Sequence, residues 1–373
     1  MKKSLFIPVV YPNESSNFTV HELEDFLIWA AENEVSDITI QNDEVLFCEI
    51  HGKKHKVHSK KLSKSDVIGI ITKIHSDGAV STVNSGQEIN YAFNIKKNRN
   101  ITYRFRVNIK SISILSDKGF SLSIRVIKSR PPFIEELNLP ENMLKAFKSK
   151  RGLILISGAT GSGKSTLLAS VIAWRLMDED AHIKVSTYEN PIEYTYEYLE
   201  TKTATISQME IGTNLNGTFG DGAKNSLRTR SDVVLIGEAM DYDTISSTLN
   251  TAMTGPLVYS TIHTNNASEI IARIINVFPS NERNSRIIDL ITNLKMLVTQ
   301  SLVPSISGKR IPIREYVIFN QEIIDTLLEA DSDQITYVMR KIIKKYGKSF
   351  SEDLTEKYEQ GLISKEVFDN YKQ

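Results

Sequence analysis

Residues Gly158-Ala159-Thr160-Gly161-Ser162-Gly163-Lys164-Ser165 fill every fixed position of the pattern G-x-x-x-x-G-K-[ST]. A strand-like run, Leu153 to Ser157, enters the motif, and a helix-compatible run, Thr166 to Met177, leaves it. Three glycines let the backbone turn tightly and aim its N–H groups at one point. The start of the following helix adds the positive end of a dipole. Lys164 supplies a cation for the β- and γ-phosphates, and the Ser165 hydroxyl suits Mg²⁺. Thr166 completes the candidate nucleotide-binding set. A chance glycine-rich turn is the alternative, and it explains neither flank. A chain with this segment is expected to build an α/β domain around it and to bind a nucleoside triphosphate.

Four further clusters fit that expectation. Val233-Val234-Leu235-Ile236-Gly237-Glu238 is an apolar strand ending in an acid. In a phosphate-loop fold such an acid lies near the γ-phosphate, where it orients the attacking water and helps to hold Mg²⁺. Glu238 is therefore the candidate catalytic acid, because Gly237 stands where many nucleoside triphosphatases place an Mg²⁺-binding aspartate. A plain surface glutamate is the other reading. Ser186 to Glu193 is a second strand followed by a turn, since Pro191 keeps Asn190 out of the helical region. Glu189 and Glu193 there suit Mg²⁺ or water, although two acids in a turn can also be simple solvation. His263 follows the strand-like run Leu257 to Thr261 and is either a sensor of the γ-phosphate or a structural histidine. Arg104 and Arg106 share one face of a strand, and Arg125 lies on another. They are candidate arginine fingers, or else a solvated sheet face with ion pairs.

Charge divides the chain. Its 45 basic residues equal its 45 acidic ones, so no overall field attracts a polyanion, and no direct sequence-specific nucleic acid is expected as a partner. Residues 1–133 carry 19 basic and 14 acidic side chains, a difference of +5, and the remainder carry −5. The shift coincides with Arg130-Pro131-Pro132-Phe133, which places a hinge at 131–133 between a first domain, 1–130, and a second domain, 134–320, followed by a helical segment, 321–373. In the first domain a helix is expected over His21–Glu34 with Thr19 as its cap. Strands are expected at Asp37–Ile40, Val45–Phe47, Ile101–Val107 and Phe120–Val126. Lys53 to Lys64 has six lysines, two histidines and no acid. It reads as a solvated hairpin loop, or as a contact for an acidic partner or anionic lipid. In the second domain, strand-like runs at Leu153–Ser157, Ile183–Tyr188, Val233–Ile236 and Leu257–Thr261 alternate with helical stretches, which implies a buried parallel sheet. Cys48 alone rules out an internal disulfide framework, and no run is long enough to span a bilayer. The expected location is the cytoplasm, with any membrane contact peripheral.

The order of these motifs resembles the secretion ATPase superfamily of type II and type IV systems, which includes the pilus-retraction motors. There the segments are called Walker A, Asp box (Glu189-Asn190-Pro191-Ile192-Glu193), Walker B (Gly237-Glu238) and His box (Ser260 to Asn265). Ser36-Asp37-Ile38 and Arg104 to Asn108 resemble signatures of the family's N-terminal PAS-like domain. Phe219-Gly220-Asp221-Gly222, Ser226-Leu227-Arg228, Val298 to Pro304 with Gly308-Lys309-Arg310, and Arg314-Glu315-Tyr316-Val317-Ile318-Phe319 resemble the DotB/TraJ branch, which serves type IVB secretion and IncI-type conjugation. The resemblance implies an N-terminal PAS-like domain, a RecA-like ATPase domain, a homo-hexameric ring, and hydrolysis of ATP with Mg²⁺. It implies partners among inner-membrane secretion or conjugation components. It makes Glu238 the Walker B acid, Glu189 and Glu193 the Asp-box acids, Ser165, Glu189 and Glu238 the metal set, His263 the His-box residue, and Arg104, Arg106 and Arg125 clamp arginines. Three positions depart from the pattern: Thr39 for histidine, Asn190 for aspartate, and Met240 for the arginine that often follows the Walker B glutamate. A pilus motor and a nucleotide-binding assembly factor with little turnover are the competing expectations.

Overall fold

The computed structural model describes residues 10–12, 18, 20–50, 52–98, 101–114, 117–127 and 130–372. The chain divides into two compact units, 1–130 and 131–373.

In the first unit, helix α1 (Val20–Glu32) buries Leu23, Phe26, Leu27 and Ala30, the spacing of one helical face. Thr19, expected to cap it, lies outside the described residues. Strands β1 (Val35–Gln41), β2 (Phe47–Ile50) and β3 (Lys53–Lys56) come next, then helices α2 (Lys64–Ile74) and α3 (Gly78–Asn84). Strands β4 (Ile89–Lys96), β5 (Thr102–Ile114) and β6 (Asp117–Ile127) complete a six-stranded sheet of order β3-β2-β1-β6-β5-β4. All its pairings are antiparallel. The lysine-rich run differs from the expected loop. Lys53–Lys56 forms the edge strand β3, paired with β2 in the register Glu49↔Lys54. Lysines on an open edge discourage pairing with another chain. The last lysine of the run, Lys64, opens α2, which the Ser63 side chain caps in a capping box with Asp66.

The second unit holds helix α4 (Glu141–Phe147), β7 (Gly152–Ser157), α5 (Lys164–Met177), β8 (Lys184–Glu189), β9 (Thr205–Glu210), α6 (Phe219–Thr229), β10 (Val233–Ile236), α7 (Tyr242–Met253) and β11 (Leu257–Ile262). Helices α8 (Ile270–Ile275) and α9 (Arg283–Asn293) follow, then β12 (Leu294–Pro304), β13 (Arg310–Ile318) and helices α10 (Gln321–Leu328), α11 (Ile335–Tyr346), α12 (Phe350–Glu359) and α13 (Lys365–Tyr371). The seven strands lie in the order β13-β12-β7-β11-β10-β8-β9. Pairing is parallel from β12 to β9, as expected. The strand β13 is antiparallel to β12, forming an edge hairpin. The chain is thus an α/β protein whose second unit has helices on both faces of a mostly parallel sheet.

Alternation along each strand separates those faces. Leu153, Leu155, Val234, Ile236 and Val258 join the core that includes α7 and α9. Ile154, Ile156, Val233, Leu235 and Tyr259 join the core of α4 and α5. Every residue of β7, β10 and β11 is buried. Burial on both faces is why these strands read as unbroken apolar runs.

Tyr259 ties this sheet to α4. Its hydroxyl donates to the Phe147 carbonyl at 2.5 Å, and Arg175 Nη1 donates both to that carbonyl and to Tyr259 Oη at 3.1 Å. The Phe147 carbonyl closes the end of α4, where no helical partner remains. Tyr259→Phe is expected to lower stability by about 1–3 kcal/mol. A urea unfolding curve checks this: the midpoint falls with an unchanged slope, and an unmoved midpoint contradicts it.

Candidate active site

Parallel pairing brings four strand ends to one edge of the sheet. Ser157 of β7 lies opposite Ile262 of β11, and Ile236 of β10 lies between Ser260 of β11 and Tyr188 of β8. The next residues along these strands are Gly158, His263, Gly237-Glu238 and Glu189. The phosphate loop, both strand-end acids and the histidine therefore share one edge, the usual position of a ligand in such a sheet.

The phosphate loop carries a positive φ at Gly158, Gly161 and Gly163. Lys164 is buried, and its ammonium donates to the Gly158 carbonyl at 2.7 Å and the Ala159 carbonyl at 3.1 Å. Burial lowers its pKa from the ordinary value, and the carboxylates of Glu238 and Glu193 act against that shift. Both acids are thus electrostatic neighbours of the lysine. The buried Ser162 hydroxyl has no partner among the described residues. Ser165 is exposed at the start of α5. Thr166 differs from the others, because its hydroxyl pairs with Tyr194 Oη at 2.9 Å.

Glu238 Oε1 meets His263 Nε2 at 2.5 Å. Glu189 accepts from the Thr187 hydroxyl at 2.6 Å and from Gln208 Nε2 at 3.3 Å. Glu193 is exposed beyond the Asn190–Pro191 peptide, which is cis. Hard oxygen donors on Ser165, Glu189 and Glu238 are the type that Mg²⁺ prefers. An exposed hydroxyl, a buried hydroxyl with no partner among the described residues and a buried cation fit an incoming phosphate group. A cavity of about 380 Å³ opens beside this edge, lined by Gly158, Ala159, His263, Thr264 and Arg273 among others.

The three arginines belong to the N-terminal unit. Arg106 and Arg125 lie directly opposite each other across β5 and β6, and Arg125 lies opposite Asp37 on β1. Arg125 Nε donates to Asp37 Oδ1 at 2.9 Å. Like charges facing across a sheet are unfavourable, and Asp37 offsets one of them.

A family model described as "Type II/IV secretion system protein" matches residues 13–346. The crystal structure of the Legionella pneumophila ATPase DotB is 36% identical, with a TM-score of 0.89 over 97% of this chain and 98% of that one. The chain belongs to the type II/IV secretion ATPase family. The crystal structure of the pilus retraction motor PilT with bound ADP is 27% identical, with a TM-score of 0.78 over 95% of this chain and 97% of that one. Among curated relatives, the type IV pilus ATPase PilU of Pseudomonas aeruginosa is 30% identical over 92% of this chain and 87% of its own.

The structure adds several residues of this secretion ATPase that the sequence reading did not single out. Gln208 holds Glu189 and also donates to the Tyr194 carbonyl at 2.9 Å. Glu315, next to Arg314 on β13, accepts from the Ala267 N–H at 2.8 Å, just past the His box. Burial raises the Glu315 pKa. Arg273 enters the cavity because its helix buries Ile270, Ile271, Ile274 and Ile275, leaving it on the outer face. That 3–4 spacing was the available signal.

Gly237 has a steric reason for lacking a side chain. A Cβ there would meet Phe219 Cε1 at 2.9 Å and the Tyr188 carbonyl at 3.1 Å. Gly237→Asp is therefore expected to destabilise the fold by about 1–3 kcal/mol instead of restoring a metal ligand. Thermal melting checks this, and a variant with wild-type melting temperature contradicts it.

Proposed function

We propose that this protein hydrolyses ATP at the shared strand edge and that it works as a hexameric motor for type IVB secretion or conjugative transfer at the inner membrane. The observation that carries the reading is the convergence of Lys164, Glu238, Glu193 and His263 beside a complete phosphate loop. The narrower assignment draws on the 36% identity to DotB along nearly the whole chain.

In this reading the loop N–H groups and Lys164 hold the β- and γ-phosphates. Mg²⁺, held by Ser165 with Glu189 and Glu238, would neutralise charge on the transferred phosphoryl group. Glu238 accepts a proton from the attacking water, and His263 orients that carboxylate through their 2.5 Å contact. Glu193 adds negative charge beside Lys164. Arg104, Arg106 and Arg125 form a cationic strand face suited to a phosphate anion, and they act as clamp residues. Partners are inner-membrane components of the secretion or conjugation machine.

A pilus motor is the second reading, supported by the ADP-bound PilT structure and by PilU. Its chemistry is the same and only the partner differs. Copurification from the native host separates the two by whether secretion or pilus membrane proteins are recovered.

Lys164→Ala is expected to lose nucleotide binding. Glu238→Gln is expected to retain ATP binding and to turn over on the order of 10²–10³-fold more slowly. A phosphate-release assay across protein concentrations tests this, with turnover rising as rings assemble. Wild-type turnover by Glu238→Gln would remove that residue from the role of base.

A further inference from the structure

Arg314 is a cation that folding has largely removed from water. It is 5% exposed, and burial pulls its pKa down to about 10. Such burial is costly unless every donor is well used. Among the described residues its side chain makes no direct carboxylate contact, although the charge of Asp353 acts against the effect of burial. Nε donates to Gln300 Oε1 at 2.8 Å, and Nη1 donates to the Leu137 carbonyl at 3.1 Å. The nearby acid, Asp353, instead takes the Arg314 backbone N–H at 2.9 Å and the Lys348 ammonium at 2.9 Å. An arginine kept mainly for stability is poorly served by neutral acceptors. One kept for orientation is well served by them.

What Arg314 orients is Gln300. The two residues are directly opposite in the β12–β13 register, so their side chains share a face. Gln300 is 3% exposed. Its Nε2 donates to the Ser162 carbonyl, in the phosphate loop, at 2.7 Å. A buried amide can be turned either way round, but arginine has only donors. Arg314 therefore requires Oε1 on its own side and leaves the NH₂ group facing Ser162.

The consequence falls on one peptide. In a trans peptide the carbonyl and the next N–H point in opposite directions. Holding the Ser162 carbonyl outward turns the Gly163 N–H inward, to the concave side of the loop. A released carbonyl could rotate inward and present an oxygen to an anion. Both ends of the loop also lie against Gln300. A Cβ on Gly158 would meet the Gln300 carbonyl at 2.3 Å, and one on Gly163 would meet Gln300 Nε2 at 2.9 Å.

We infer that Gln300 is a positioning residue for the phosphate loop and that Arg314 acts through it, together fixing the Ser162–Gly163 peptide with its N–H on the phosphate side. The inference rests on the reading of this loop as the nucleotide site. It gives a task to the Arg314 segment, which sits on an edge strand outside the parallel part of the sheet.

The test uses the full-length protein and a fluorescent ADP analogue, with ATP turnover measured in parallel. Gln300→Glu keeps an acceptor for Arg314 but sets a carboxylate against the Ser162 carbonyl. It should weaken ADP binding at least tenfold, with the nucleotide-free melting temperature within a few degrees of wild type. Arg314→Met should weaken ADP binding several-fold in the wild-type background and leave it unchanged in a Gln300→Leu background, since the residue acts through Gln300. Arg314→Lys takes its place in both backgrounds if the methionine variant does not fold. ADP affinity of Gln300→Glu within twofold of wild type overturns the inference. Equal losses from the Arg314 substitution in both backgrounds overturn it as well. If wild type binds no ADP, the nucleotide reading itself falls, an outcome distinct from wild-type binding with an unaffected Gln300→Glu.

Discussion

The arrangement depends on parallel registration of β7, β11, β10 and β8. Parallel strands end at the same edge, and these four end within a residue or two of one another. Each strand is committed to that register by burial on both faces, because a slip of one residue would exchange the side chains of the two cores. The phosphate loop, Glu238, His263 and Glu189 converge because the apolar residues behind them cannot sit any other way. No specific contact among the polar groups is needed to gather them.

Gathering them has an electrostatic cost, and the local contacts meet it. A loop that presents its N–H groups inward leaves its carbonyls to be satisfied elsewhere. Lys164 takes those of Gly158 and Ala159, and Gln300 takes that of Ser162. Lys164 is itself buried, and Glu238 and Glu193 act against the loss of its charge. Glu238 in turn faces His263. The site gathers a set of opposite charges around a loop that borders a cavity lined by Gly158, Ala159 and His263. A bound anion with its cation would complete that set, consistent with hydrolysis of a nucleoside triphosphate.

Much of this is legible in the sequence, and the boundary of legibility has physical causes. Residues 153–165 announce themselves because the glycines, the lysine and the strand before them are local requirements. Val233–Ile236 and Leu257–Ile262 are equally plain, since strands buried on both faces have no polar positions to confuse the pattern. Gln300 and Arg314 are not, because their role comes from a cross-strand pairing that neither residue signals alone. Gln208 reaches Glu189 from the neighbouring strand β9, which has half-exposed positions and weak periodicity. Lys53–Lys56 reads as a loop because an edge strand can carry charge on nearly every residue. The arginines of β5 and β6 show their strand and face in sequence, while the like-charge pairing of Arg106 with Arg125 appears only from the register.

The central claim is that the shared strand edge is one ATP-hydrolysing site. The most direct measurement is a crystal structure of the protein with ADP, beryllium fluoride and Mg²⁺. The account predicts the β-phosphate inside the 158–165 loop, the metal on Ser165, and the fluoride group facing Glu238 and His263. A nucleotide bound elsewhere, or a loop whose Gly163 N–H turns away from the phosphates, would contradict it.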